Sequence, residues 1–371
     1  MSRVLKGCLV LLSLAAGHAG AIPTATVTKP IAIPADDAAI AYDVNVRGQV
    51  AAVVEDSDGR RRAVMFEKGE VTNLGSLGGD YSEARAINRS GQVVGAAQDA
   101  DGRWRAFIYD RPGGMRDVGT LGGPGSFGTA INDAGHVAGY ADNLDGDYRA
   151  FLYTGSGALA DLGTLGGKIS YAAGVNNAGQ VVGTAALPSN YRHAFIWDAK
   201  RGMVDLGTLG GRSSSATAIN DAGVVVGASE TSDRRWRAFL HDGTRMVDLG
   251  ALIGYGSSYA TDINNAGHVV GTVLIGDERR SFVWRDGVMT VHRGGKGLHL
   301  INSINDVEQV IGATYNRKLE AATMRSTAVP VVDKGGTKFL LAVFVTLAAA
   351  ATLVLYRRRY RGMDINNVAF I

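Results

Sequence analysis

Six cations recur in this chain directly ahead of a small residue: Arg62, Arg105, Arg149, His193, Arg237 and Arg280. Set around a ring they would draw an anionic ligand. Asp117, Asp161, Asp205 and Asp248 recur further along each unit, where they could pair with those cations and make them structural. A second set is aromatic. Tyr81, Phe127, Tyr171 and Tyr259 occupy one recurring place, and Trp104, Tyr148, Tyr191 and Trp236 another. Arg105 follows Trp104 and Arg237 follows Trp236. Flat rings beside guanidinium groups suit stacking on a sugar or gripping a peptide, so these ten residues form the candidate ligand-binding set.

Other motifs carry less. Asp56-Ser57-Asp58-Gly59, Asp99-Ala100-Asp101-Gly102 and Asn143 to Asp147 resemble calcium loops. Calcium takes six to eight oxygens, and these loops are short and lack a later carboxylate, so hairpin turns are the simpler reading. Gly123 to Gly128 matches GxGxxG, but it opens a strand where dinucleotide binding needs a helix. His136 and His268 share a slot without metal-ligand spacing, and neither HExxH nor GxSxG occurs. We therefore assign no catalytic residue, metal or cofactor.

The elements that must position these groups are repeats. The turn Asn220-Asp221-Ala222-Gly223 has counterparts whose first residues are Asn45, Asn88, Asn132, Asn176, Asn264 and Asn305, spaced by 41 to 44 residues. In the unit starting at Gly211, strands are expected over 214–219, 224–229, 236–241 and 246–249, split by turns. Ahead of the marker Asn the chain carries small residues: Ser82, Ser126, Ser170, Ser214 and Ser258 six before, and Ala84, Gly128, Ala172, Ala216 and Ala260 four before. The third strand carries Phe107, Phe151, Phe195, Phe239 and Phe282. Small residues fit where blades converge, and rings fit where blades diverge. The expected fold is all-β, a seven-bladed β-propeller of seven four-stranded repeats over 38–328. A β-solenoid is the alternative. Glu308 replaces the turn glycine of the last unit, so its turn should change type.

The ends read differently. Residues 1–21, with Arg3, Lys6, the apolar run from Leu9 and Ala19-Gly20-Ala21, read as a signal peptide. Residues 22–37 and 329–338 read as linkers. Residues 339–356 form an uncharged apolar run, followed by Arg357, Arg358, Arg359 and Arg361. That is one C-terminal transmembrane helix with a cytoplasmic basic tail, 357–371, leaving the repeats outside the cytoplasm. Residues 1–21 and 338–371 hold seven of the 38 basic residues and one of the 35 acidic ones, so the formal charge of +3 becomes a slight acidic excess across the rest of the chain. Nucleic acid is not an expected partner. Cys8 is the only cysteine, so no disulfide framework exists.

Arg-Ala-Phe at 105–107, 149–151 and 237–239, His193-Ala194-Phe195, Asp-Leu-Gly-Thr-Leu-Gly-Gly at 161–167 and 205–211, and the Ile-Asn-Asp/Asn-Ala-Gly turns resemble the extracellular HAF-repeat family, over about residues 40 to 325. The resemblance implies export and a repeat fold, and it supplies no catalytic residues. The expected function is a surface-anchored, non-catalytic module that binds or scaffolds envelope polysaccharide or a surface protein. The alternatives are a polysaccharide-acting enzyme with carboxylates on the propeller face, and a purely structural envelope component.

Overall fold

The computed structural model describes residues 22–30, 38–253, 256–276, 278–292, 300–315 and 319–329. The signal peptide, the transmembrane helix and the basic tail expected from the sequence lie outside the described residues. No helix among the described residues is long and apolar enough to cross a membrane.

The fold is an all-β propeller. Blade 1 runs Ala38–Val44, Val50–Glu55, Arg61–Glu67 and Glu70–Asn73, and its sheet order follows chain order. Blades 2 to 6 repeat this plan over 78–117, 122–161, 170–205, 210–248 and 257–292. In blade 5 the strands are Gly210–Ile219, Val225–Thr231, Trp236–His241 and Met246–Asp248, close to those expected, with the inner strand starting earlier. These six blades each use four consecutive strands.

The remaining four-stranded sheet is composite, and it corrects two expectations. The last repeat supplies only three strands, Leu300–Ile304, Gln309–Tyr315 and Leu319–Val329. The fourth is Ile22–Pro30, which pairs antiparallel with Leu319–Val329, Ile22 opposite Val329. The stretch expected as a linker over 22–37 is therefore a strand for most of its length. Joining Ile22–Pro30 to Leu319–Val329 in one sheet holds the ring shut without a covalent link.

The ring leaves no place for a solenoid. The side-chain amide of each marker asparagine donates to the backbone carbonyl of the next: Asn45 to Asn88, then Asn132, Asn176, Asn220, Asn264 and Asn305, and Asn305 back to Asn45, at 2.9 to 3.2 Å. The Oδ1 of the same residue caps its own turn; that of Asn220 accepts from the N–H groups of Ala222 and Val224. One side chain thus builds the hairpin and links the blades.

The apolar cores lie between blades. Ala86, Val94 and Ala106 of blade 2 pack with Ile131, Val137 and Phe151 of blade 3, and Ile311 of the last sheet packs with Ala39, Val50 and Phe66 of blade 1. The recurrent phenylalanines are fully buried. Each lies opposite a second-strand glycine, as Phe195 opposite Gly183. Blade 1 keeps the fit with Ala52 opposite Val64. The recurrent serines do more than fit a narrow space. Ser170 Oγ accepts from the N–H of Ala150 in the preceding blade at 2.9 Å and donates to the Gly163 carbonyl at 2.6 Å. The Ala of each Arg-Ala-Phe is thereby pinned to the next blade, and the same bond recurs from Ala63 to Ser82 and from Ala238 to Ser258.

The last turn corrects another expectation. Glu308 keeps the turn type of the other repeats at φ 59°, and its N–H donates to the Asn305 carbonyl. Its carboxylate lies 3.2 Å from His268 Nδ1 and 3.0 Å from Arg285 on blade 6. The Arg285 ion pair works against a left-handed strain on the order of 1 kcal/mol.

Candidate binding face

The marker turns lie at one end of the strands. The connections between blades and the turns from second to third strand lie at the other, and the predicted aromatic residues gather there. A simple rule positions them: the first residue of a third strand meets, in the next blade, the residue five before the marker Asn. In blades 2 and 3 this pairs Trp104 with Phe127, stacked at 6.1 Å. In blades 3 and 4 it pairs Tyr148 with Tyr171 at 5.7 Å, and in blades 5 and 6 it pairs Trp236 with Tyr259 at 6.3 Å. In blades 1 and 2 the same two slots hold Arg61 and Glu83, and they form an ion pair.

The rings do not form an even circle. Tyr140, on the second strand of blade 3, lies 5.0 Å from Phe127, 5.6 Å from Tyr148 and 5.1 Å from Tyr171. Trp104, Phe127, Tyr140, Tyr148 and Tyr171 therefore make one continuous aromatic run over blades 2 to 4. Tyr148 remains 36% exposed, while Tyr171 is buried. Trp236 and Tyr259 stand apart as a single pair. Tyr191 lies in the turn of blade 4, where its hydroxyl accepts from Arg212 at 2.8 Å and its ring lies under that guanidinium. Tyr81 sits half-buried near the start of the inner strand of blade 2.

The arginines placed in the candidate set take other roles. Arg105 bonds to Asp99 at 3.1 Å, and Arg237 is buried and donates to the Gly250 carbonyl. The pairing expected with fourth-strand carboxylates is present for His193 and Asp205, at 2.8 Å. Arg62 instead lies 3.9 Å from Asp56 in its own turn. Asp117 and Asp161 spend an oxygen on the N–H of Gly119 and Gly163. In the loops that resemble calcium sites, the Oδ1 atoms of Asp56, Asp99 and Asn143 each accept two backbone N–H groups and close hairpins. Gly123 to Gly128 lies within an inner strand.

At one end of the aromatic run the Arg192 guanidinium lies 5.8 Å from the centre of the Tyr171 ring, and at the other Arg61 and Arg85 share Glu83. Burial pushes the Glu83 carboxyl up, but Arg85 and Arg61 more than reverse this and hold it below the usual range. The Arg85 guanidinium lies 4.4 Å from the centre of the Tyr42 ring. Burial works against its charge, but Tyr42, Glu83 and Tyr140 outweigh it and hold the guanidinium above the usual arginine range. Arg61 also lies 3.7 Å from Glu55, so two guanidiniums face two carboxylates, and 37% of the Arg85 side chain stays exposed. Asp142 flanks the run with its carboxyl raised by burial, against a bond from the Gly125 N–H that lowers it. These groups supply flat apolar faces, a cation and hydrogen-bonding rims, which is recognition chemistry.

Tyr42, Glu83, Arg85 and Tyr140 were missed by a reading built on symmetry. Their signal is departure from the repeat. Three before the marker Asn, most repeats carry Thr or Ala, and Thr129 and Thr217 donate to carbonyls of the next blade there. Blades 1 and 2 carry Tyr42 and Arg85 instead. Tyr140 stands where other second strands carry Ala96, Thr184, Ala228 and Thr272.

No family model matches the chain, and no curated protein sequence matches it. Solved structures do. The β-propeller domain of the Trilobed protease from Pyrococcus furiosus, described as having an open velcro topology, aligns with a TM-score of 0.55 at 12% identity, over 81% of this chain and 100% of its own. A Mycobacterium tuberculosis puromycin-hydrolyzing peptidase aligns at 0.53 with 14% identity, over 83% of this chain and 52% of its own. An acylaminoacyl peptidase from Pyrococcus horikoshii aligns at 0.50 with 12% identity, over 82% and 52%. The chain spans about half the length of these two peptidases. At such identity the likeness is one of fold alone.

Proposed function

We propose that this chain is an exported, membrane-anchored propeller of the HAF-repeat kind that binds envelope polysaccharide or a surface protein and does no chemistry on it. The ligand seats on the face formed by Trp104, Phe127, Tyr140, Tyr148 and Tyr171 and is met at one side by Arg85. The observation that carries this reading is the concentration of departures from the repeat on blades 1 to 4. Repeat symmetry explains a lone stacked pair such as Trp236 and Tyr259. It does not explain five joined rings beside a charged trio.

A binding role fits the electrostatics better than hydrolysis does. Glu83 is tied to two arginines and held ionised, which makes it a poor proton donor. The reading is tested by probing glycan and peptide arrays with the full chain and with Arg85→Ala. Selective capture that the substitution abolishes supports it. Capture that is absent, or indifferent to Arg85, sinks it. Turnover of a captured polysaccharide would instead favour the enzyme.

A further inference from the structure

We propose that Asp43, Ser303 and Asp262 together form one proton-binding site that clasps the closing sheet of the ring. The three residues occupy the same slot, two before the marker Asn, in three consecutive sheets: blade 6, the composite sheet and blade 1. Other repeats place Ala86, Ala130, Gly174 and Ala218 there, which have no polar side chain. The carboxylates occur only on either side of the seam.

Counting hydrogens requires the proton. Ser303 Oγ lies 2.8 Å from Asp43 Oδ1 and 2.7 Å from Asp262 Oδ2. A hydroxyl carries one hydrogen, so it can donate to one carboxylate only. The second contact is a hydrogen bond only if a carboxyl donates to the serine. The remaining donors around the pair are backbone N–H groups: Val44 and Ile87 to Asp43, Ile263 and Ile304 to Asp262. They satisfy acceptors and add no movable hydrogen. With both carboxyls ionised, two like charges would flank one hydroxyl in a site that is mostly out of water. With one proton, the chain runs from Asp262 through Ser303 to Asp43 with every contact made.

The surroundings offer no substitute for that proton. Tyr42, Thr261 and Asn302 precede the three residues, and Val44, Ile263 and Ile304 follow them. Asn302 donates to the Ala41 carbonyl and Thr261 to that of Val270. Arg85, on the inner strand of blade 2, is engaged by Glu83 and the Tyr42 ring. Burial, and then the charge of Asp43, raise Asp262 to about 7 from its usual 3.8, and burial raises Asp43 as well. The pair titrates as a unit, so the proton belongs to the clasp.

The sign follows from linkage. A carboxyl whose value is raised by folding binds a proton that the unfolded chain has already released. Its contribution to stability is complete below 3.8, falls as pH rises, and is gone above about 7. Asp262→Asn places a permanent donor beside Ser303 and loses the bond that Oδ2 accepts from the Ile304 N–H, a loss that is the same at every pH. Equilibrium unfolding of the full chain and of this variant should give curves that diverge between about pH 4 and pH 7, with wild type losing ground to the variant, and run parallel above that. Infrared spectra of the folded wild type should show a carboxylic-acid band at pH 6 that fades as pH passes through about 7 and is missing in the variant. If the variant fails to fold, the wild-type titration alone decides. Curves parallel throughout, or no carboxylic-acid band at pH 6, would overturn the proposal.

Discussion

Asn305 donates from its side-chain amide to the backbone carbonyl of Asn45, 2.9 Å away and 260 residues earlier in the chain. The bond repeats a contact that every other blade makes with its sequence neighbour, so the last repeat recognises the first through the same chemistry. Asn305 Oδ1 meanwhile accepts from Val307 at 3.1 Å and from Gln309 at 2.9 Å. Asn305→Ala removes all three contacts at a buried site. The expected loss is about 1–3 kcal/mol, read as a lower urea midpoint. Asn132→Ala, at an interface between consecutive blades, should cost a similar amount. A negligible effect at Asn305 alone would mean that the ring is not closed there in solution.

Gly223 and Gly227 of blade 5 separate two reasons for a glycine that recurs from repeat to repeat. Gly223 sits at φ 79° in the marker turn, and a Cβ there would meet only Gln180 Oε1, at 3.3 Å. Gly227 lies in a strand, where a Cβ would fall 2.0 Å from the Ser215 carbonyl oxygen and 3.0 Å from the Phe239 ring. Gly223→Ala should cost about 1 kcal/mol through backbone strain. Gly227→Ala should cost about 3 kcal/mol or more, because backbone must move. Chemical denaturation of the two variants checks the order, and Gly223→Val should exceed Gly223→Ala through its branched side chain.

The repeat period and the Asn-x-x-Gly turns made the blades legible, since turn chemistry is local and recurs in the same register. The inner serines were legible as small residues but not as inter-blade donors and acceptors, because the Ser170 to Ala150 bond joins residues from different blades. The strand at Ile22–Pro30 was hidden for a similar reason. Its partner, Leu319–Val329, lies at the far end of the chain, so no local pattern announces it. The candidate site was half legible. Trp104, Phe127, Tyr148 and Tyr171 follow the repeat, whereas Tyr42, Arg85 and Tyr140 break it. A repeat protein's packing is written in its symmetry, and the unequal positions are where a single site can differ from its copies.

Glu308 gives a direct measure of left-handed strain. It holds φ 59° where each of the other six marker turns has a glycine at positive φ. Glu308→Ala removes the contacts to His268 and Arg285 and keeps the strain. Glu308→Gly removes both. Glu308→Gly should therefore be more stable than Glu308→Ala by about 1 kcal/mol in urea titrations. Equal stabilities would show that the turn relaxes to another type in the free protein.

Trp104 and Trp236 now give the sharpest test of the binding face, because they share a slot and differ in company. Each stacks on one ring of the next blade, Trp104 on Phe127 and Trp236 on Tyr259. Either tryptophan changed to alanine should lower stability by about 1 kcal/mol or more, through lost stacking and buried apolar area. Only Trp104 belongs to the run that continues through Tyr140 toward Arg85. Trp104→Ala should also weaken ligand capture by about 1–3 kcal/mol, tenfold or more, while Trp236→Ala leaves capture unchanged. Measuring melting temperature and binding on the same preparations separates the two effects. Equal loss of binding in both variants would place the ligand around the whole rim, and loss in neither would reduce the aromatic run to blade packing.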